Sequence, residues 1–206
     1  EHFPDSRFIV MDDYQAINEI MKHLIEDHGY TKIGFVRGPD DRHYSSGVRF
    51  FAYQELLKKY KLPLNKDLII PPKNFENTAS REAADIYFNQ RKLKPGKDIE
   101  AIITLSDIIA VPLIEELKSM GFKIPDDIAV TGFNNQTTGK AVIPRLTTID
   151  CNYYSTGYKS VEILLDFIDS NKTGKGVLIP TKLIIRQSCG CREPEFLQAG
   201  DTAPKK

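Results

Sequence analysis

Residues 101–131 read AIITLSDIIAVPLIEELKSMGFKIPDDIAVT, and this stretch decides the fold class. It begins with an apolar run at 101–104 and ends with a second one at 128–131. Between the two runs, apolar residues recur at helical spacing, at Val111, Ile114 and Leu117. Strands of a parallel sheet are covered on both faces, so they appear as continuous apolar runs. The stretch therefore predicts a strand–helix–strand unit of a parallel sheet.

The same alternation extends outward along the chain. Further short apolar runs predict strands at 32–36, 68–70, 146–150 and 181–185. The segments between them carry apolar residues at helical spacing: Ile17, Ile20, Met21, Leu24 and Ile25; Val48, Phe51, Ala52 and Leu56; Ala79, Ala83, Ile86 and Tyr87; and Gly157, Val161, Leu164, Leu165 and Ile168. Strands about 30 residues apart and separated by helices indicate an α/β fold, a parallel sheet flanked by helices.

The charge balance and hydropathy exclude several classes of protein. Of the 206 residues, 28 are Lys or Arg and 28 are Asp or Glu, so the net charge is zero. This argues against contact with nucleic acid, which requires clustered positive charge. No run approaches the ~20 apolar residues of a membrane span. The first residues do not resemble a secretory signal. We therefore expect a cytoplasmic chain without a membrane partner.

The three cysteines do not form a disulfide framework, because their number is odd. Free thiols in a reducing cytoplasm are the simplest interpretation. Cys189 and Cys191 supply half of a metal site, but the sequence holds no Cys-x-x-Cys or paired histidines to complete it. His23 and His28 are five residues apart, which does not place them on one face of an α-helix, so we expect both to be solvated. The sequence predicts no metal site and no cofactor.

No set of residues for catalysis is recognisable. The sequence shows no nucleophile with an adjacent base, and Gly-x-Gly occurs only at Gly174 and Gly176, within a turn. The adjacent carboxylates Asp12 and Asp13 suit a strand end or a helix cap better than acid–base chemistry. The sequence therefore predicts that the chain is not an enzyme.

Polar and aromatic residues follow the predicted strands, where ligands of open α/β sheets bind. They are Ser45, Ser46 and Arg49 after the first strand, Phe75 after the second, Ser106 and Asp107 after the third, and Asn134 after the fourth. Arg49 offers a rigid fork of donors, and Phe75 offers a flat face for stacking. The alternative is local: Ser45 and Asp107 are each equally suited to cap a helix.

Seven stretches in order resemble the lactose-repressor family of bacterial regulators. They are Val10-Met11-Asp12-Asp13; the run from His23 to Ile33; Gly38-Pro39 with Ser46, Arg49, Ala52 and Tyr53; Ser106-Asp107; the run from Ile124 to Asn135; Pro144-Arg145-Leu146-Thr147-Thr148-Ile149; and the run from Pro180 to Ser188. The chain resembles the sensor of such regulators, which is similar to type I periplasmic sugar-binding proteins.

The resemblance implies two lobes joined by three crossing strands, with a sugar-like or nucleoside-like effector between them. Residues 11–150, rejoined by 178–191, would form the complete second lobe. Residues 1–10 and 151–177 would belong to the first lobe and the hinge crossings, and 192–206 would be a disordered tail.

Carried over onto this sequence, the family's effector contacts fall on five residues. Arg49 would be the main polar contact and Phe75 the stacking aromatic. Ser106 and Asn134 would be further polar contacts, and Tyr153 would line the cleft. Asn134 departs from the aspartate often found in the family, so the charge is lost there.

The resemblance also implies partners. We expect a homodimer formed through the helix at 107–120 and the loop at 137–143, where Val142 and Ile143 are apolar. DNA would be bound only by a separate domain that this chain lacks, or another output domain such as a cyclase or kinase would take its place. A solute-binding protein of a transport system is the alternative with the same fold.

Overall fold

The computed structural model describes residues 8–38, 44–71, 78–170 and 176–192. Its strands are β1 (Ile9–Met11), β2 (Ile33–Val36), β3 (Ile69–Ile70), β4 (Ala101–Thr104), β5 (Ala129–Thr131), β6 (Thr148–Asp150), β7 (Val177–Ile179) and β8 (Lys182–Ile184). Its helices are α1 (Asp13–Lys22), α2 (Tyr44–Lys59), α3 (Ala79–Ala84), α4 (Asp107–Ser119), α5 (Thr137–Ala141) and α6 (Tyr153–Ser170). Helices α1 and α3 each continue into a wider π-helical turn, at His23–Asp27 and Asp85–Gln90.

A four-stranded parallel sheet with the order β3-β2-β4-β5 forms the centre of the molecule. Phe35 pairs with Ile69 and Ile103, and Ile102 pairs with Val130. The chain crosses from β2 outward to β3, returns to β4 beside β2, and continues outward to β5. The direction of travel therefore reverses between β2 and β4, which is where open α/β sheets bind ligands. The predicted fold class is confirmed.

Helices cover both faces of this sheet because successive strand residues point to opposite sides. Ile33 and Phe35 of β2 and Ile103 of β4 pack against α1 and α2 in one apolar cluster. Ile102 and Val130 pack against α3 and α4 in the second cluster. The three layers place the carboxyl ends of all four strands along one open edge, which we call the carboxyl edge.

Two smaller sheets lie outside these layers. Strand β1 pairs with β7 in parallel, and β6 pairs with β8 in antiparallel fashion. Helix α6 contacts β1 but leaves its apolar face open to solvent. The exposed side chains on that helix include Val161, Leu164, Leu165 and Ile168, each between 55% and 66% exposed. Soluble proteins rarely expose an apolar stripe of this length to solvent.

Several sequence expectations were wrong in detail. Phe51 was placed on the buried face of α2, but it is 57% exposed, and the buried stripe instead includes Arg49 and Tyr53. Strand β7 was not predicted, and the loop expected at 137–143 contains the short helix α5. Residues 193–206, expected to be disordered, lie outside the described residues.

Candidate functional site

The carboxyl edge carries a connected group of polar side chains. Asn134, just after β5, donates from Nδ2 to Ser106 Oγ at 3.3 Å. Its Oδ1 accepts from the Tyr153 hydroxyl at 3.0 Å and from Cys151 Sγ at 3.3 Å. Asn134 has a φ of 98°, a backbone conformation that asparagine tolerates better than most residues. Three of the predicted site residues, Ser106, Asn134 and Tyr153, therefore lie within one hydrogen-bonded group.

Arg49 reaches the same edge from α2, but it is held from several sides. Its Nε donates to Asp13 Oδ1 at 2.7 Å and its Nη1 donates to the Leu105 carbonyl at 2.8 Å. The guanidinium carbon lies 3.4 Å from the centroid of the Phe133 ring. Arg49 is only 7% exposed, so its position is fixed by the protein before any ligand arrives.

Asp13 is a site residue that the sequence analysis missed. It is the first residue of α1, two positions beyond β1, and its side chain is buried. Its second oxygen, Oδ2, is buried and has no hydrogen-bond partner in the part of the chain that the structure describes. Buried carboxylate oxygens are rarely left without a donor. The available signal in the sequence is that Asp13 follows a strand, but this position suits a strand end or a helix cap equally well. Asp12, rather than Asp13, caps the helix, accepting from Gln15 N at 3.0 Å.

The two groups share one electrostatic environment. Burial raises the pKa of the Cys151 thiol to about 11, and Arg49 partly opposes this rise. Burial also raises the pKa of the Tyr153 hydroxyl to about 12, with Cys151 adding to the effect. Both groups are therefore neutral hydrogen-bonding partners at neutral pH. Arg49 and Asp13 act electrostatically on both groups.

Asp107 was predicted as a site residue, but the structure places it beneath the surface. It is fully buried, and its Oδ1 accepts from the Thr148 hydroxyl at 2.7 Å. Its Oδ2 accepts from the backbone N–H of Gln136, also at 2.7 Å. Burial raises the pKa of its carboxyl group, although these hydrogen bonds oppose the rise. Asp107 thus links β6 and the loop after β5 to the start of α4. These hydrogen bonds help to position the neighbouring residue, Ser106.

Two of the predicted site residues remain, Ser45 and Phe75. Ser45 is half-buried in the first turn of α2. Phe75 lies outside the described residues.

Two open concavities lie along the exposed face of α6 rather than at the carboxyl edge. One of about 490 Å³ is lined by Tyr153, Tyr158 and Val161 among others. The second, of about 560 Å³, lies between α6 and β7. Both are largely apolar, so they differ in chemistry from the polar group around Asn134.

The interpretation of His23 as a solvated residue was wrong. His23 is 5% exposed, and the structure brings it together with His28, Cys189 and Cys191. Burial acts to raise the pKa of the Cys189 thiol, but hydrogen bonds with His23 and Thr147 outweigh it, so the pKa lies below its ordinary value. The five-residue spacing does not keep His23 and His28 apart, because residues 23–27 form a π-helical turn, in which positions five apart approach each other.

None of the helices in the described ranges is both long and apolar enough to cross a membrane.

Comparison with known proteins gives a consistent result. The family model of the periplasmic binding protein-like domain matches residues 21–189. The NTD biosynthesis operon regulator NtdR of Bacillus subtilis (strain 168) is 34% identical over 91% of this chain and 55% of its own length. The chain spans about half the length of the curated relatives it matches. These relatives are transcriptional regulators, not enzymes, in agreement with the sequence analysis.

Solved structures match over most of the chain. A LacI transcriptional regulator from Bacillus cereus subsp. cytotoxis NVH 391-98 is 27% identical, with a TM-score of 0.82, covering 93% of this chain and 66% of that one. A LacI-family regulator from Enterococcus faecium with bound ribose is 22% identical, with a TM-score of 0.76, covering 91% and 67%. At that identity, the second match shows the fold alone.

Proposed function

The chain belongs to the periplasmic binding protein-like domain family, as found in LacI-type regulators, and from this we propose that it senses a small polar effector for a cytoplasmic regulator. The effector is sugar-like or nucleoside-like and binds at the carboxyl edge. Its binding closes two lobes and biases a dimer. DNA, or another output, is engaged by a separate domain.

The observation that carries this proposal is the buried Asp13 Oδ2, which has no hydrogen-bond partner among the described residues. A buried acceptor without a donor costs roughly 1–3 kcal/mol, and an effector hydroxyl or N–H at this point would remove the cost. Arg49 is locked beside it, and none of the described residues accepts a hydrogen bond from its Nη2. Acceptor and donor thus stand side by side, which suits a hydroxyl-bearing or ring-nitrogen ligand.

The second lobe supplies one wall of the effector cleft. In this proposal, residues 11–150 and 178–191 form that lobe, while residues 1–10 and 151–177 belong to the first. The exposed apolar face of α6 then packs against further chain of the first lobe. Since ligand pockets normally bury most of the ligand surface, we expect the 206-residue chain alone to bind its effector poorly.

The dimer surface that we propose differs from the one expected from the sequence. Val142 was considered an interface residue, but it is 8% exposed and packs in the core beside α4. Ile143 is 75% exposed and Ile108, on α4, is 47% exposed, so these two residues form the proposed apolar contact.

Ile143→Glu should shift the protein toward monomer in light scattering across a dilution series. Exposed Leu64→Glu serves as the control. Equal dimer in both variants would contradict this surface.

The effector is sought by thermal shift on a protein that carries both lobes, with panels of sugars and nucleosides. Calorimetry then compares Asn134→Ala with Asn89→Ala, an exposed asparagine on the continuation of α3. Loss of contacts at Asn134 should weaken binding by about 1 kcal/mol or more, roughly fivefold or more, while Asn89→Ala should leave it unchanged. Arg49→Ala is unsuitable as the first test because Arg49 is part of the core. Equal affinities in the two asparagine variants would contradict the assignment.

A further inference from the structure

Four side chains of the kinds that bind zinc meet at the far end of α1. Their ligand atoms, in His23, His28, Cys189 and Cys191, all lie within 4.8 Å of one another. The two histidine Nε2 atoms are 3.2 Å apart. Cys189 Sγ lies 3.3 Å from His23 Nε2, and Cys191 Sγ lies 3.3 Å from His28 Nε2 and 3.6 Å from His23 Nε2.

These separations match the edges of a zinc coordination tetrahedron. Bonds of about 2.0–2.1 Å to nitrogen and about 2.3 Å to sulfur, at tetrahedral angles, place two nitrogens about 3.3 Å apart and a nitrogen and a sulfur about 3.6 Å apart. The four distances given above, one between the two nitrogens and three between a nitrogen and a sulfur, fall within about 0.3 Å of these values. The remaining pairs of ligand atoms also lie within 4.8 Å of one another, so small movements of the side chains would place all four atoms around one ion.

The backbone is shaped to bring these atoms together. Helix α1 widens into a π-helical turn at His23–Asp27, which turns His28 toward His23. Between the two cysteines, Gly190 has a φ of 106°, and a Cβ there would lie 3.3 Å from His28 Nδ1. Glycine is thus required both by the backbone conformation and by the closeness of the imidazole. The paired cysteines are carried on a loop fitted against the histidines.

Surrounding groups orient the ligands in the way metal sites require. The Asp27 carboxylate lies 2.7 Å from His23 Nδ1, so that nitrogen carries the proton and Nε2 is left with its lone pair facing the cluster. This carboxylate–histidine arrangement is the usual outer support of a zinc-bound histidine. The Thr147 hydroxyl donates to Cys189 Sγ at 3.1 Å. The ring of Tyr30 stacks on His28, with centroids 5.4 Å apart.

We propose that His23, His28, Cys189 and Cys191 bind one structural Zn²⁺ ion. Four protein ligands leave no open position for a reacting water, which distinguishes a structural site from a catalytic one. Two imidazoles and two thiolates in tetrahedral arrangement favour zinc over the harder divalent cations. The ion ties the segment after β8 to the first helix of the lobe. It is separate from the carboxyl edge and takes no part in binding the effector.

Metal content of the purified chain tests the site directly. We expect about one zinc per chain after gel filtration, measured by inductively coupled plasma mass spectrometry. Replacing the ion with Co²⁺ should give the intense visible absorption of tetrahedral cobalt together with thiolate-to-metal charge transfer in the near ultraviolet. Cys191→Ser should lose the stoichiometric zinc and the charge-transfer intensity of one thiolate. Cys151→Ser, which removes the cysteine outside the cluster, should retain both.

A milder variant keeps the test valid if ligand variants fail to fold. Asp27 is largely exposed, so Asp27→Asn should leave the fold intact while weakening zinc affinity about 10–100-fold in a chelator competition. Its neighbour Glu26→Gln is the control and should not change the affinity. The melting temperature of the parent chain should fall when a strong chelator is added, because zinc bound only by the folded state stabilises it.

Three results would each overturn the proposal. The first is a folded parent chain that carries no zinc and gives no tetrahedral cobalt spectrum. The second is an equal loss of metal in Cys151→Ser and Cys191→Ser. The third is a disulfide between Cys189 and Cys191 in freshly purified protein, detected by mass spectrometry.

Discussion

Replacing Arg49 with methionine should destabilise the chain strongly, whether or not effector is present. Arg49 and Asp13 form a buried ion pair, with side chains 8% and 0% exposed. Methionine fills much of the same volume but removes the charge. The Asp13 carboxylate is then left buried without its partner, and breaking a buried pair in this way typically costs about 3–5 kcal/mol.

The other contacts of Arg49 add to this loss. The Leu105 carbonyl loses its donor at 2.8 Å, worth about 1 kcal/mol. The stacking of the guanidinium on Phe133 is lost, worth up to about 2 kcal/mol for a desolvated pair. Methionine packing returns part of this loss. We therefore expect a net loss near 4 kcal/mol, which for a chain of this size lowers the melting temperature by about 10 °C.

Urea unfolding followed by circular dichroism measures this loss. Lys58→Met is the control, because Lys58 forms only an exposed helical ion pair with Glu55, worth about 0.5 kcal/mol or less. Adding Asp13→Asn to Arg49→Met should recover part of the stability, since a neutral amide is cheaper to bury than a carboxylate. A loss below about 1 kcal/mol for Arg49→Met, or no recovery in the double variant, would refute the buried pair as described.

Three further substitutions test other parts of the chain. Gly132→Ala should cost about 2 kcal/mol or more in urea unfolding, because the new methyl group would overlap the fixed carboxylate of Asp107. Gly157→Ala, where nothing lies within 4 Å, should instead stabilise α6 by up to about 1 kcal/mol. Leu165→Glu should change the unfolding free energy by less than about 0.5 kcal/mol because Leu165 is 55% exposed. The same variant should aggregate less than the parent in light scattering, and a large loss of stability would contradict the open face of α6.

The central sheet was predictable because its signal is local. A continuous apolar run such as 101–104 predicts a strand that is buried on both faces. The helical spacing between the runs predicts that a helix connects each strand to the next. Strand β7 was missed because it is short and Leu178 is exposed, so Val177–Ile179 lacks the signature of a buried strand. Phe51 was assigned to the wrong face because the buried stripe of α2 contains Arg49, a charged residue that helical patterns count as polar.

The candidate site was only partly predictable for a related reason. Ser106 and Asn134 follow strands, and strand ends in a parallel sheet meet at one edge, so their proximity follows from topology. The role of Asp13 depends on a contact with Arg49, 36 residues away, which no local pattern shows. The meeting of His23 with Cys189 depends on the π-helical turn and on 166 residues of intervening fold.

Hydrogen exchange on the two-lobed sensor tests the central claim, that the effector binds at the carboxyl edge, most directly. Exchange is compared with and without the sugar or nucleoside found by thermal shift. We expect slower exchange at backbone amides 105–108 and 134–136, which border the Arg49 and Asn134 groups, and unchanged exchange at 28–32, beside the histidine–cysteine cluster. Protection confined to 28–32, or to α6 with no change at 105–108 and 134–136, would contradict the account.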